Sequence, residues 1–516
     1  MSLIFGFKGR GNFIGIHSDY EIEPSEAQFN PTTVSIEKDT IDINSTIPDD
    51  AMVKDLFPKK YFNNEILTIQ KESNQRDSTY WEKIRPIPLT AIEIKDYREK
   101  DSIRVIVESP EYKDSIDQIT NKINATNVFI SGYIYQKSFK EKVFRFEPII
   151  ENLQYNTVEG LVFNFKSTYS KSHDNILKYQ LTPEIRYGFS SQKFYAKIRA
   201  EKFYNPHKFS RARIEGGRFV SQYNPENPIS PIINTAETLI NRRNYIKLYE
   251  KTFLNFHHQS EVVNGILVTS ELEYASRNEL FNTVDFSIFK EGDREFTPNE
   301  PINRELPDTS FGQNEALTIG FNVKIRFKQE YISRPDYKFV MYSKYPRLAI
   351  YYKKGLPLFG SDVDFDEVIV NIRDDLSYGL VGKGNYSASI GTYLNKDEVY
   401  FPDFRHFNGN RTIFGQFTTS NFQLLDYYAF STVEPWVMGH YVHHFNGFLI
   451  NKIPLLRKTK VQAVASGHFL YTESSETYFE YGVGIEHIFK IFRMDYYTAF
   501  LNGTHFGNGI RFGIGF

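Results

Sequence analysis

Asn508-Gly509-Ile510-Arg511-Phe512-Gly513-Ile514-Gly515-Phe516 alternates strictly, and the architecture of the chain follows from that alternation. Ile510, Phe512, Ile514 and Phe516 share one parity, while Gly509, Arg511, Gly513 and Gly515 take the other. Successive side chains of a strand point to opposite faces, so an extended chain here is wholly apolar on one face and small or charged on the other. A water-soluble edge strand of this kind exposes a bare apolar face beside unpaired backbone, which is an aggregation hazard. A closed barrel in a membrane removes both problems, because lipid meets the apolar face and the first strand pairs with the backbone. Ile510, Phe512, Ile514 and Phe516 are therefore expected to form the barrel-closing strand of an all-β outer-membrane barrel, preceded by a small, partly helical periplasmic segment.

Working back from the end, the same alternation recurs. Leu317, Ile319, Phe321, Val323, Ile325 and Phe327 face one way, and Thr318, Asn322, Lys324, Arg326 and Lys328 the other. Three cations on one face of one strand need water, so that face looks into a lumen. Tyr179, Leu181, Ile185, Tyr187 and Phe189 alternate likewise with Gln180, Thr182, Glu184, Arg186 and Gly188. About 16 such segments can be drawn, an even number as bacterial barrels require. They fall at 156–168, 175–189, 192–203, 209–217, 244–258, 262–276, 313–330, 337–353, 363–377, 380–395, 411–423, 435–449, 459–472, 477–489, 491–502 and 508–516. With the first strand running outward, the long connections 218–243, 277–312 and 396–410 are expected on the periplasmic side.

Composition agrees with a barrel. Phe 46 and Tyr 35 against Trp 2 make 16% of the 516 residues aromatic, the side chains that lipid-facing strands and interfacial girdles consume. A mean hydropathy of -0.44 and the lack of any run of about 18 apolar residues exclude a helical membrane bundle. The 61 basic and 63 acidic residues nearly cancel, which argues against a nucleic-acid partner. Without cysteine there are no disulfides, thiolate metal sites or cysteine nucleophiles.

Ahead of the barrel at 156–516, residues 1–60 read as the remnant of a periplasmic β domain, and 61–155 as a helical linker region. Thr90-Ala91-Ile92-Glu93 supplies a capping box, predicting a helix from Ala91 to about Asp101. Further helices are expected at 64–82 and 110–123. Between the first two, Arg85-Pro86-Ile87-Pro88-Leu89 is too proline-rich to stay helical. Arg85, Pro86 and Pro88 form a candidate partner-docking element or a rigid hinge. Met1 to Lys8 lacks the basic and apolar regions of a signal peptide, so the true N-terminus is expected upstream.

Arg76-Asp77-Ser78-Thr79-Tyr80-Trp81 with Arg85-Pro86-Ile87-Pro88-Leu89-Thr90 resembles a Bacteroidota family of outer-membrane proteins of unknown function. So do Tyr155 to Gly160, Asp403 to Asn410 and Asn451 to Leu456. That family carries a carboxypeptidase-regulatory-like domain ahead of a barrel, and the resemblance implies that this domain and a signal peptide lie outside this chain. It brings no catalytic residues. Glu480 to Ile488, Phe492 to Asp495 and the closing strand are also similar to the C-terminal strands of the BamA/TamA assembly-barrel superfamily. The loop motif of that superfamily, Val-Arg-Gly-Phe or Val-Arg-Gly-Tyr, has no counterpart in Leu424 to Glu434.

Arg186, Lys197, Arg199, Arg211, Arg213, Lys324, Arg326 and Lys328 take inward parity, with Glu184, Glu201 and Glu215 among them. They make either a basic track for an anionic or extended polypeptide substrate or a set of ion pairs that solvates and braces the wall. Glu480, Glu486, Arg493, Asp495 and Arg511 suggest cross-strand pairs near the end. His440, His443, His444, His406 and His468 are too scattered in parity for a metal site, and Ser466 with His468 lacks an orienting third group. Ser361 to Glu367 departs from a calcium-loop pattern. No cofactor, metal or nucleic-acid partner is expected. The expectation is a monomeric, non-enzymatic barrel in the bacterial outer membrane, with lipid around it and periplasmic chaperones or lipoproteins as candidate partners. Its first reading is envelope protein insertion or translocation, against a passive or gated channel and a membrane-embedded hydrolase.

Overall fold

In the computed structural model the chain divides into two units, 1–63 and 64–516. Structure is described for 64–516 apart from 70, 72–75, 86, 290–292, 455 and 515–516. The expected β remnant at 1–60, Pro86 and Phe516 thus lie outside the described residues.

The unit opens with β1 (Glu65–Thr68) and three helices, α1 (Ser78–Ile84), α2 (Ala91–Glu108) and α3 (Pro110–Thr120). The predicted capping box is present: Thr90 Oγ1 accepts from the Glu93 backbone N–H, and the Glu93 carboxylate accepts from Thr90 N–H. α2 continues past Asp101 to Glu108. There Ser109 stops it and caps α3, with Pro110 at the first helical position where no N–H is needed.

The wall then begins earlier than residue 156. It comprises β2 (Tyr133–Lys137), β3 (Lys142–Phe146), the short α4 (Ile149–Asn152), β4 (Leu153–Asn156), β5 (Gly160–His173), β6 (Ile176–Gly188), β7 (Lys193–Asn205) and β8 (Ser210–Gln222). After α5 (Pro231–Asn241) come β9 (Leu248–Val263), β10 (Ile266–Glu279) and β11 (Asn314–Arg326). Two short strands, β12 (Tyr331–Ser333) and β13 (Lys338–Val340), leave the wall and form a separate sheet with β1. The wall resumes with β14 (Arg347–Gly355), β15 (Asp364–Ser377), β16 (Lys383–Glu398), β17 (Trp436–His444), β18 (Gln462–Thr472), β19 (Glu476–Ile488), β20 (Phe492–Leu501) and β21 (Thr504–Ile514). Among the described residues eighteen strands make the barrel, antiparallel throughout; each pairs with the next along the wall, except that β3 and β4 both pair with β5 and β11 pairs with β14.

Two differences from the expected strand set have physical causes. β3 and β4 share one edge of β5, Lys142–Phe146 lying opposite Lys171 to Ser167 and Leu153–Asn156 opposite Phe163 to Gly160. Pro148 and α4 break this wall position, next after β2, into halves too short to show as one alternating run. Conversely, the expected strand at 411–423 belongs to the long connection 399–435 and is not part of the ladder.

The extra strand also reverses the direction of everything after it. β5 runs back toward the end of the barrel where β2 meets α3 through Asn121 and Gln136, and where β21 finishes. The connections 223–247, 280–313 and 399–435 consequently lie at the opposite end. Long connections were expected on the side of the helical segment; they are on the other side, the ordinary arrangement for outer-membrane barrels.

Outward-facing positions are apolar all the way round. Phe163, Leu181, Ile198, Ile214, Leu254, Phe256, Leu272, Phe321, Ile350, Ile372, Ile390, Phe469, Tyr481, Val483, Ile510 and Phe512 are all exposed. A continuous exposed belt of this size is out of place in water and is what a hydrocarbon layer covers.

Candidate functional site: a plugged lumen

The lumen is filled by the chain's own 399–435 connection. Phe407, Phe422, Leu424, Leu425, Ala429 and Phe430 of this plug are buried against Ile369, Trp436, Met438, Leu470, Tyr478, Tyr497 and Ala499 of the wall. Close packing dictates glycine on the wall where rings lie flat: a Cβ at Gly391 would sit 2.4 Å from the Trp436 ring, and one at Gly482 would sit 2.4 Å from Tyr497. The plug is folded back on itself. Asn410 N–H donates to Leu425 O, Phe422 N–H to Asn408 O, and Arg405 and Thr432 form an antiparallel bridge.

Three polar attachments hold it. At its entry, Asp403 is buried between Arg277 at 2.5 Å and Lys353 at 3.1 Å. Burial pushes the Asp403 carboxyl up, but the two cations outweigh it and hold it below the usual carboxylate range. Beside it, burial and the Arg405 charge push His406 down to about 3, so its imidazole is neutral and bonds Ser431 through Nδ1. At the tip, Glu480 of β19 accepts from the backbone N–H groups of Gln423 at 2.5 Å and Leu424 at 2.8 Å, and from Tyr478 OH. Arg511 of β21 donates from Nε to Gln423 O at 2.7 Å.

The third attachment is at the seam. β21 was expected to close the ring against the first strand through Ile510, Phe512, Ile514 and Phe516. Among the described residues, β21 has a ladder with β20 alone, and its outer edge meets the plug instead. Gly415 N–H donates to Phe512 O at 2.7 Å, and Phe512 N–H donates to Ile413 O at 2.9 Å. Ile510, Phe512 and Ile514 do point outward, as their parity requires. Phe417 continues from this bridge to lie under the Arg493 guanidinium, 4.2 Å from its ring centre.

The inward cations fall into two groups. On β6 to β8, Arg186 is buried on Glu159 and Gln154, Lys197 sits within 3.4 Å of Glu184 and Glu215, Arg199 binds Glu215 and Arg211 binds Glu201. These ion pairs brace the wall. Arg213 lies on the same wall with its Nε buried and without a partner. On the other wall, Lys324 and Arg326 line a cavity of about 510 Å³ beside the plug. Lys328 departs from expectation: β11 ends at Arg326, and Lys328 sits in the following turn over the Tyr345 ring, outside the lumen wall. Arg85 caps α1 and stacks over Tyr97, and Pro88 is exposed.

Alternation alone did not reveal Glu480 as the plug clamp, Asp403 as its anchor, or Arg347 and Arg373 beside Lys324 and Arg326; each depends on cross-strand register. The histidines do not converge on a metal. His440 and His468 bond each other through Nδ1 at 2.8 Å, His444 binds Glu486, and no metal-ligand cluster occurs among the described residues. Ser466 donates to Tyr497 OH, so Ser466 and His468 are not assembled as a Ser-His pair.

A wall that is apolar outside and polar inside, with its bore occupied by a buried segment of its own chain, defines a plugged transmembrane β-barrel. The chain belongs to the family described as the C-terminal domain of family of unknown function DUF5686, which matches residues 126–485. Among solved structures it is similar to BamA from Haemophilus ducreyi lacking POTRA domains 1–3, with 11% identity over 77% of this chain and 76% of that one and a TM-score of 0.41. CdiB from Acinetobacter baumannii gives 8% identity over 67% and 54% with a TM-score of 0.33. A mutant Rh. blastica porin gives 8% over 72% and 96% with a TM-score of 0.27. These are likenesses of barrel architecture alone. Among curated proteins, none matches the sequence.

Proposed function

We propose that this chain is an outer-membrane barrel that inserts or translocates envelope polypeptides, with its plug as the displaceable element. The observation that carries the reading is the β21 edge, whose backbone is held by Ile413 to Gly415 of the plug. An unladdered strand edge is a template for another extended chain, which gains main-chain hydrogen bonds by adding to it. A short segment bridging through two hydrogen bonds protects that edge and can be exchanged for an incoming strand. The bore full of buried aromatic side chains disfavours a passive pore. Periplasmic chaperones or lipoproteins would meet the barrel at α1–α3, where α2 has no buried residue and Arg85 and Pro88 mark the bend.

The test uses the absence of native cysteine. Cysteines at Phe414 and Phe512, which are bridge partners, should crosslink on oxidation and lock the plug to the edge. The locked protein is expected to fold but fail to restore outer-membrane protein levels in cells depleted of the wild type, with reductant restoring them. Full complementation by the locked form sinks the proposal. Steady conductance of the locked form in planar bilayers would instead favour the channel reading.

A further inference from the structure

The cavity of about 510 Å³ between the plug and the β11–β14–β15 wall has a charge pattern unlike the rest of the lumen. Arg326 lies directly opposite Arg347 in the β11–β14 ladder, and Arg347 directly opposite Arg373 in the β14–β15 ladder. All three take inward parity, shared with Tyr351 and Ile369, which pack against the plug core. The row is therefore three guanidinium groups on adjacent strands, spaced roughly 5 Å apart at Cβ. Lys324 stands two residues along β11 on the same face.

Like charges directly opposite in a sheet are destabilising. Elsewhere in this lumen Arg186, Lys197, Arg199 and Arg211 each have a glutamate. In the row only Arg347 forms an ion pair, with Asp375 at 2.7 Å; Asp375 also lies close enough to Arg373 to act on its charge, and Asp374 and Asp375 line the rim beside Arg326 and Arg347. No carboxylate pairs with Lys324, Arg326 or Arg373 among the described residues. The two glutamates that line the cavity are engaged already, Glu226 by Arg405 and Glu261 by Lys338. Arg405 Nε and Asn322 Oδ1, both from residues lining the cavity, are buried without a partner.

We infer that this cavity is a binding site for a multiply charged phosphoryl group, held by Arg326, Arg373, Lys324 and the free donors of Arg347. Guanidinium forks match phosphate oxygens in pairs, and several cations in one row suit a dianion or trianion better than a single carboxylate. The volume accepts a small phosphorylated molecule or a lipid headgroup. The site does not depend on the barrel's role in polypeptide insertion.

The experiment is calorimetric titration of the full chain in zwitterionic micelles at fixed ionic strength. Probes are inorganic pyrophosphate, phosphatidic acid (a phosphomonoester lipid) added to the micelles, and polyglutamate. Wild type is expected to bind a phosphoryl probe saturably, and R326Q/R373Q to bind it at least tenfold more weakly. The double variant should fold normally by heat-modifiable gel mobility, since it loses repulsion rather than contacts. Lys354→Gln, whose side chain pairs with Asp366, serves as the control and should bind as wild type does. Tighter binding of pyrophosphate identifies a soluble ligand, and tighter binding of the lipid a headgroup. Saturable binding of polyglutamate alone, no binding of either phosphoryl probe, or unchanged affinity in the double variant overturns the inference.

Discussion

Replacing Glu480 with alanine should release the plug tip while leaving the barrel wall folded. The Glu480 side chain is fully buried and is the acceptor for two main-chain N–H groups of the plug, Gln423 and Leu424. Removing it strands both donors in a dry interior. A buried donor left without a partner costs about 1–3 kcal/mol, so two cost roughly 2–6 kcal/mol of docking free energy. The Tyr478 hydroxyl loses its acceptor as well. Even the lower bound raises the undocked population about thirtyfold. Glu480→Gln keeps one acceptor oxygen in place, and roughly half of that cost is expected.

Native-state hydrogen exchange of the plug amides reads this directly. In Glu480→Ala, Gln423 and Leu424 should exchange at least tenfold faster than in wild type, while wall amides such as those of β9 and β10 stay protected. Planar-bilayer recordings should show openings that wild type lacks. If the plug amides keep wild-type protection in a variant whose wall is folded, Glu480 does not hold the plug and the clamp is refuted.

Two further outcomes are expected. Ile198 is half exposed in the middle of β7, so Ile198→Arg would be almost neutral in water but should cost about 2–4 kcal/mol when the barrel folds into liposomes; an effect near zero there would contradict the lipid-facing belt. Lys247, just before β9, is buried with Nζ on Thr297 Oγ1 and Pro298 O, and burial pushes it down from 10.5 to about 7. Its unfolded state then binds the extra proton between those values, so stability should rise as pH goes from 7 toward 10.5, by at most about 1.4 kcal/mol per pH unit, and be lost again as pH falls. Lys247→Met should flatten that slope in urea titrations, and an unchanged slope would count against it.

The wall was legible because lipid on one side and water on the other impose a period of two that few other environments produce. Leu317 to Ile325 and Tyr179 to Arg186 show it, and their side chains divide between the two faces as the alternation requires. The same period misleads at 411–423. Ile413, Gly415 and Phe417 share one parity, but parity does not say whether a segment joins the wall or fills it. Plug residues such as Phe422 are buried by the lumen, a surface that a single-strand pattern does not describe. The split strand β3/β4 was hidden for the opposite reason, since its halves are each too short to show a period. The arginine row was half visible: Lys324 and Arg326 stand out on one strand, but Arg347 and Arg373 join them only through ladder register, which is a long-range property.

That register also ties the plug to the seam. Arg511 and Phe512 are adjacent on β21; the first reaches inward to Gln423 O, and the second uses its backbone to bind Ile413 and Gly415. Gln423 N–H is in turn held by Glu480 two strands away. The ends of one plug segment are thus fastened to consecutive residues of the strand whose edge the proposed function assigns to an incoming chain. An extended polypeptide that displaces Ile413 to Gly415 removes one fastening and loads the other, and a substitution at Glu480 weakens the second from inside. Faster exchange at the Gly415 amide in Glu480→Ala, some distance along the plug from the mutated contact, is what this coupling requires. A change confined to Gln423 and Leu424 would mean that the tip and the seam open independently.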